Sequence, residues 1–258
     1  MFLQSPSLQK RSIVDLKNWN EHASELREVY RLVEELCVGH NQCGSPEPEF
    51  LFSLAYSLQD CGEIVEIGTN VGTTLLMLAS AQRLKANKRR VNTIDIHPQN
   101  SLTANIARVD LAPYVNVIVP RSADVANTWN KPIELLFIDG DHSYAGCLSD
   151  IEHWGRFVIK DGYLVFHDFA DGMGVPRAVH EAILSRPWLY RVISDREFGS
   201  IFVVRKVADQ GSITAWTDRM SPIAPGPSLR IKVPKSRLLL RKATERIGHW
   251  FLRLTGIS

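Results

Sequence analysis

Apolar residues in this chain fall into short runs separated by polar turns, and the runs change character near residue 60. Ahead of it they recur at helical spacing, with Phe50, Leu51, Leu54 and Leu58 on one face. Ser45-Pro46-Glu47 supplies a helix start before them: a cap, a proline in the first turn and an acid near the positive end of the dipole. From Ile64 onward extended and helical patterns alternate. Ile64 to Ile67, Val91 to Ile94, Val115 to Val119, Leu135 to Ile138 and Tyr163 to Phe166 read as strands, with helices over Thr73 to Leu84 and Asn100 to Val109. Leu135 to Ile138 and Tyr163 to Phe166 are apolar without alternation, as strands covered on both faces of a parallel sheet are. A helix over Pro176 to Ser185 leads to two closing strands, Tyr190 to Ser194 and Ser200 to Val204. The short DREFG turn between those two makes them an antiparallel pair. The alternation predicts a Rossmann-like, doubly wound α/β sheet with right-handed crossovers. Its segments are N-terminal helices over 1–60, the sheet domain over 61–207, and a linker with a C-terminal helix over 208–258. The linker is Ser221 to Ser228, SPIAPGPS.

Charge refines this outline. The formal net charge is +2, yet from Leu229 onward eight Lys or Arg face one acid, Glu245. The rest of the chain then holds 22 basic and 27 acidic residues, which argues against a body that binds nucleic acid. In the tail, Leu240, Ala243, Ile247, Trp250 and Leu254 share a helical face opposite Arg241, Lys242, Arg246 and Arg253. Such a basic amphipathic helix either docks on the body or on a second subunit, or lies on an anionic membrane surface. No run approaches a membrane span, the start lacks the core of a signal peptide, and four cysteines do not make a disulfide framework at this size. The expected setting is cytoplasmic, at the membrane surface only if the tail binds there.

The chemistry gathers at strand ends, where open α/β sheets bind ligands. EIVEIGTNVGTTLL is a strand, a turn (Gly68, Thr69, Asn70, Val71, Gly72) and a helix, so backbone N–H groups and a helix N-terminus face a ligand. The Gly-x-x-x-Gly spacing lacks the third glycine of a dinucleotide turn, and Glu66 would repel a pyrophosphate but attract the ammonium and sulfonium of S-adenosylmethionine. Asp95 ends the second strand, where an acid accepts ribose hydroxyls. Ser122 and Ala123 follow the third strand, where an adenine would pack. Asp139, Asp141 and His142 end the fourth strand, and His167 and Asp168 the fifth. Duller readings exist: Asp139-Gly140-Asp141 is a good turn sequence, His142 could cap a following helix, and His167 could be a core histidine bonded to backbone. Cys37, His40 and Cys43 suggest zinc but lack a fourth ligand, and buried thiols explain them as well.

Through VEIGTNVG, FIDGDHSY and the HD of YLVFHDF, residues 63 to 205 resemble a class I S-adenosylmethionine-dependent methyltransferase. They are similar to the branch that includes macrolide-sugar and catechol-type O-methyltransferases. The resemblance implies a seven-stranded sheet with an antiparallel last strand, and methyl transfer to a hydroxyl of a small molecule, sugar or glycolipid. It implies that Glu66, Gly68 and Gly72 form the donor turn and Asp95 is the ribose acid. Asp139 and Asp168 are then ligands for a divalent metal, Mg²⁺ or Mn²⁺, and His142 is the catalytic base. His167 stands where the relatives carry an acid, and an imidazole is a poor Mg²⁺ ligand. The alternatives are a nucleotide-cofactor oxidoreductase and a donor-binding scaffold without turnover.

Overall fold

The computed structural model describes residues 16–40, 46–85 and 89–208. The linker and the amphipathic tail, together with Cys43 and the side chain of His40, lie outside the described residues. Three helices come first: α1 (Lys17–His22), α2 (Arg27–His40) and α3 (Glu47–Ser57). The alternating part follows as β1 (Glu63–Ile67), α4 (Thr73–Leu84), β2 (Val91–Ile94), α5 (Leu102–Arg108) and β3 (Val115–Ile118). It continues as α6 (Ser122–Thr128), β4 (Ile133–Ile138), α7 (Tyr144–Trp154) and β5 (Val158–Phe166). Helix α8 (Val175–Val179), extended by a π-helical turn over His180–Leu184, precedes β6 (Tyr190–Asp195) and β7 (Phe202–Lys206).

The seven strands form one sheet in the order β3-β2-β1-β4-β5-β7-β6. The first five are parallel, and β7 runs antiparallel to both β5 and β6, as the short turn predicts. Because β1, β2, β4 and β5 are parallel, their carboxyl ends emerge on one edge, with the polar residues that follow them.

Unbroken apolar strands are explained by a core on each face. Successive side chains point to opposite faces of a sheet. Leu135 and Phe137 of β4 join Ile64 and residues of α2, α3 and α4 in one cluster. Leu136 and Ile138 join Val65, Trp154 and residues of α8 in the other. With every residue of β4 buried, a polar substitution on either face would enter a core.

Three local features depart from the pattern reading. Helix α6 is not among the elements the pattern predicts, because seven residues with one buried side chain, Ala126, show little periodicity. The start of α7 is capped by Ser143, whose side chain accepts from Gly146 N, and not by His142. At α3, the N-cap position is Pro46 without a side-chain cap, and the first-turn acids Glu47 and Glu49 are buried rather than solvated. No helix among the described residues is long and apolar enough to cross a membrane.

Candidate active site

At the end of β1 the chain turns through Gly68 and Gly72, at φ 88° and 98°, a conformation that side chains with a Cβ rarely adopt. Gly68 N donates to Ile94 O and Asp139 N donates to Ile67 O, both at 2.8 Å, so the ends of β1, β2 and β4 are stitched together here. A Cβ on Gly68 would stand 2.1 Å from the Asp139 carbonyl oxygen. The glycine is thus required first by the close approach of β4. Asp95 holds the turn from the other side, its Oδ2 accepting from Thr69 N (3.0 Å) and Asn70 N (2.9 Å) and its Oδ1 from His97 N (2.8 Å).

A cleft of about 850 Å³ opens along this edge, a size that suits a nucleoside-bearing ligand. Gly68, Thr69, Asn70 and Asp95 line one part of it and Ser122 and Ala123 another. Asp139, His142, His167 and Asp168 line the remainder. Glu66 and Gly72 do not line it. Glu66 has no exposed surface: its carboxylate accepts from the hydroxyls of Thr74 and Thr93 at 2.6 Å and of Thr69 at 3.2 Å. Burial pushes its pKa up to about 7 against the lowering effect of those bonds. The expectation that Glu66 attracts a cationic ligand directly is corrected accordingly. It pins the turn from below, its oxygens engaged by three threonine hydroxyls.

Beyond the turn, five ionisable groups alternate in sign. His142 Nδ1 is 2.9 Å from Asp168 Oδ2, and its Nε2 is 3.4 Å from Asp139 Oδ1. His167 reaches Asp139 with Nδ1 at 3.0 Å and Glu47 with Nε2 at 3.1 Å. The approach to Asp139 lacks hydrogen-bond alignment, so that buried Nδ1 has charge contact but no bonded acceptor. Hydrogen bonds to Asp139 and Asp168 push the His142 pKa up to about 10. At His167, burial acts downward, but Asp139, Asp168 and Glu47 outweigh it and push the ring up to about 12. The imidazoles of His142 and His167 beside it hold Asp168 well below the usual carboxylate range.

Among the described residues, the group able to hold a metal ion is Asp139, His142 and Asp168, with ligand atoms all within 4.8 Å of one another. His167 is not in that group: its Nε2 is bonded to Glu47, while its Nδ1 faces Asp139 and Asp168 at 3.0 and 3.6 Å. Two carboxylates suit a hard cation that keeps several waters, so the donor set fits Mg²⁺ or Mn²⁺ through Asp139 and Asp168. Asp141 turns elsewhere, accepting from Ser143 N at 2.8 Å.

Glu47 is the site residue that sequence reasoning missed. Its Oε1 accepts from Ser200 N at 2.6 Å and Ser200 Oγ at 3.0 Å, so α3 is tied both to β7 and to the fifth strand end. An acid in the first turn of a helix is explained by the dipole alone, and His167 lies 120 residues away. No local signal marks it.

The raised histidines have a consequence for stability. A group whose folded pKa exceeds its unfolded value contributes fully below the unfolded value and loses that contribution as pH rises through the folded one. For His142 that window runs from 6.5 to about 10. Thermal melts taken from about pH 6 to about pH 10 should therefore show a midpoint that falls with pH. The fall should be shallower in His142→Ala, and equal slopes in the two proteins would contradict the ion-pair geometry.

Residues 65–169 match the sequence profile of a methyltransferase domain. Over that segment the chain is similar to methyltransferase domains. A protein of Acanthamoeba polyphaga mimivirus is 26% identical over 148 residues, which make up 52% of this chain and 61% of that one. The chain thus matches less than two thirds of that relative's length. Among solved structures, the SAH-bound methyltransferase of Podospora anserina superposes with a TM-score of 0.58 at 13% identity, covering 74% of this chain and 97% of that one. The O-methyltransferase TomG of Streptomyces achromogenes, in complex with SAM, gives 0.56 at 17%, covering 76% and 100%. The O-methyltransferase of Bacillus cereus, in complex with SAH, gives 0.53 at 17%, covering 75% and 100%. At these identities the likeness is one of fold. The methyltransferase sheet accounts for the placement of the site: the glycine turn and both acid-bearing strand ends belong to the matched segment. Glu47 lies outside it.

Proposed function

We propose that the methyltransferase transfers a methyl group from S-adenosylmethionine to a hydroxyl of a small molecule, sugar or glycolipid. The single observation that carries the oxygen specificity is the Asp139–His142–Asp168 cluster beside the donor turn. The sulfonium methyl is already activated, so the remaining tasks are to align the acceptor and remove its proton. A hydroxyl needs that help because its pKa lies far above 7.

In this reading the glycine turn and Asp95 hold the donor, and the acceptor oxygen sits over Asp139 and Asp168. A divalent cation bound by Asp139 and Asp168 would lower the pKa of the hydroxyl and offset the negative charge that now surrounds His142. Without that offset, a His142 pKa of about 10 means an imidazolium at neutral pH, which cannot accept a proton. His142 acts as base only when the two carboxylates are otherwise engaged. His167, held by Glu47, keeps Asp139 in place from behind.

Incubation of the protein with labelled donor and a panel of hydroxylated acceptors, read by mass spectrometry, tests the activity. In a turning-over assay, His142→Ala should lower kcat roughly 10²–10⁴-fold and leave donor affinity unchanged. A chelator should inhibit the unaltered protein. Full activity of His142→Ala would remove the base assignment, and indifference to the chelator together with full activity of Asp168→Asn would remove the cation.

A further inference from the structure

Asp168, just past β5, lies in the left-handed region at φ 51°, a conformation uncommon for a residue with a Cβ. The bend takes residue 168 out of the strand's alternation, and its carboxylate lines the cleft with Oδ2 2.9 Å from His142 Nδ1. Sparsely populated backbone of this kind persists where the surroundings over-determine it. Here both neighbours of Asp168 are held. On one side, His167 N donates to Ile138 O at 3.1 Å, and the His167 ring meets Glu47 Oε2 through Nε2 at 3.1 Å. On the other, Phe169 N donates to Ser200 O at 2.9 Å, and the Phe169 ring stacks on Phe202 with centroids 4.2 Å apart. Ser200 in turn gives its N–H and its hydroxyl to Glu47 Oε1. The path from Glu47 through His167, Asp168, Phe169 and Ser200 thus returns to Glu47. It is a closed ring with Asp168 at its apex.

We infer that Glu47 is a positioning residue for Asp168: by bridging the residues on each side of it, Glu47 holds the bend that aims the Asp168 carboxylate at His142 and the acceptor hydroxyl. The inference rests on the reading that Asp168 serves methyl transfer to oxygen. Glu47 is buried and does not line the cleft, so it acts through its partners and not on the reacting atoms. The β6–β7 turn leaves room for it, since a Cβ on Gly199 would collide with Oε1. What the ring requires of residue 47 is reach, with one oxygen for His167 and the other for Ser200. The N-terminal helices thereby gain a part in the reaction, because α3 supplies Glu47 from outside the segment that matches the methyltransferase profile.

Two conservative variants of the full chain separate reach from charge. Glu47→Asp keeps the charge but is one methylene shorter, so it cannot meet His167 and Ser200 at once. Glu47→Gln keeps the reach: its oxygen accepts from Ser200, and its NH₂ donates to Nε2 of a His167 that carries its proton on Nδ1. In crystal structures, residue 168 should leave the left-handed region in Glu47→Asp and stay there in Glu47→Gln. With labelled donor and the panel of hydroxylated acceptors, Glu47→Asp should lower kcat roughly 10²-fold, the scale of a misplacement of about 1 Å. Glu47→Gln should keep most of the turnover. Both should bind S-adenosylhomocysteine in calorimetry as the unaltered protein does, because the donor turn and Asp95 are held by bonds of their own. A left-handed residue 168 in Glu47→Asp, or a Glu47→Gln as impaired as Glu47→Asp, overturns the positioning role. Full activity of Asp168→Asn would instead remove the reading of Asp168 on which the inference rests. The conformation of residue 168 in Glu47→Asp tells the two failures apart.

Discussion

Gly68→Val is expected to destabilise the domain severely rather than merely weaken ligand binding. The backbone there has φ 88°, and moving a β-branched residue into that region costs about 1–2 kcal/mol or more. Steric contact costs more. A Cβ would lie 2.1 Å from Asp139 O and 2.5 Å from its carbonyl carbon, and neither is the end of a flexible side chain. To relieve the clash, β4 must move off β1. That sacrifices the Asp139 N to Ile67 O bond and disturbs Gly68 N to Ile94 O, at about 0.5–1.5 kcal/mol for each bond lost. Overpacking at a rigid site adds about 1–3 kcal/mol. Against a total stability of about 5–15 kcal/mol, these losses take most of the margin. Gly72→Val is the instructive companion. Its φ of 98° is equally unfavourable, but the added Cβ meets Leu102 Cδ1 at 2.8 Å, the end of a side chain that can rotate. Urea unfolding of the two variants should rank Gly68→Val well below Gly72→Val. A wild-type midpoint for Gly68→Val would show that the β1–β4 approach is not what demands glycine.

Asp139→Asn should produce the largest loss of turnover among variants that keep their fold. Asp139 is shared by three functions: it lines the donor cleft, it lies within ion-pair distance of both imidazoles, and it belongs to the group able to hold a metal ion. The amide is isosteric, so packing is preserved while the charge is removed. We expect kcat to fall roughly 10³-fold, in the range seen when proton transfer loses its positioned partner. The decisive second reading is the titration of His142. The hydrogen bond to Asp139 is the first cause of its rise to about 10, so in Asp139→Asn the imidazole signal followed by NMR should titrate at lower pH. An unchanged titration with reduced kcat would place Asp139 in acceptor or metal binding and not in control of the base.

Certain elements were legible because their signals are local. The strand–turn–helix from Glu63 to Leu84 shows itself through an apolar run, two glycines and a helical period, none of which depends on distant residues. The burial of β4 on both faces follows from four apolar residues with no alternation, Leu135 to Ile138, and the antiparallel end of the sheet from a turn too short for a crossover. The clustering of Asp139, His142, His167 and Asp168 was likewise predictable, since parallel strands deliver their carboxyl ends to one edge. Helix α6 was not, because seven residues carry too little period to register.

What the sequence by itself determined is which groups reach the edge of the sheet. What only the tertiary structure decided is what each group faces when it arrives. Glu66 looked like a ligand for a cation, yet three threonine hydroxyls close over it and burial raises its pKa to about 7. His167 ends the fifth strand, yet only the packing of α3 decides that its Nε2 is bonded to Glu47 while its Nδ1 faces Asp139 and Asp168. Glu47 read only as a first-turn acid, because its bonds to His167 and Ser200 depend on α3 meeting the ends of β5 and β7. Backbone periodicity records the direction of a side chain relative to its own strand or helix. Protonation, coordination and recognition depend on distances of roughly 3–4 Å to residues tens or hundreds of positions away, and only the packed chain sets those.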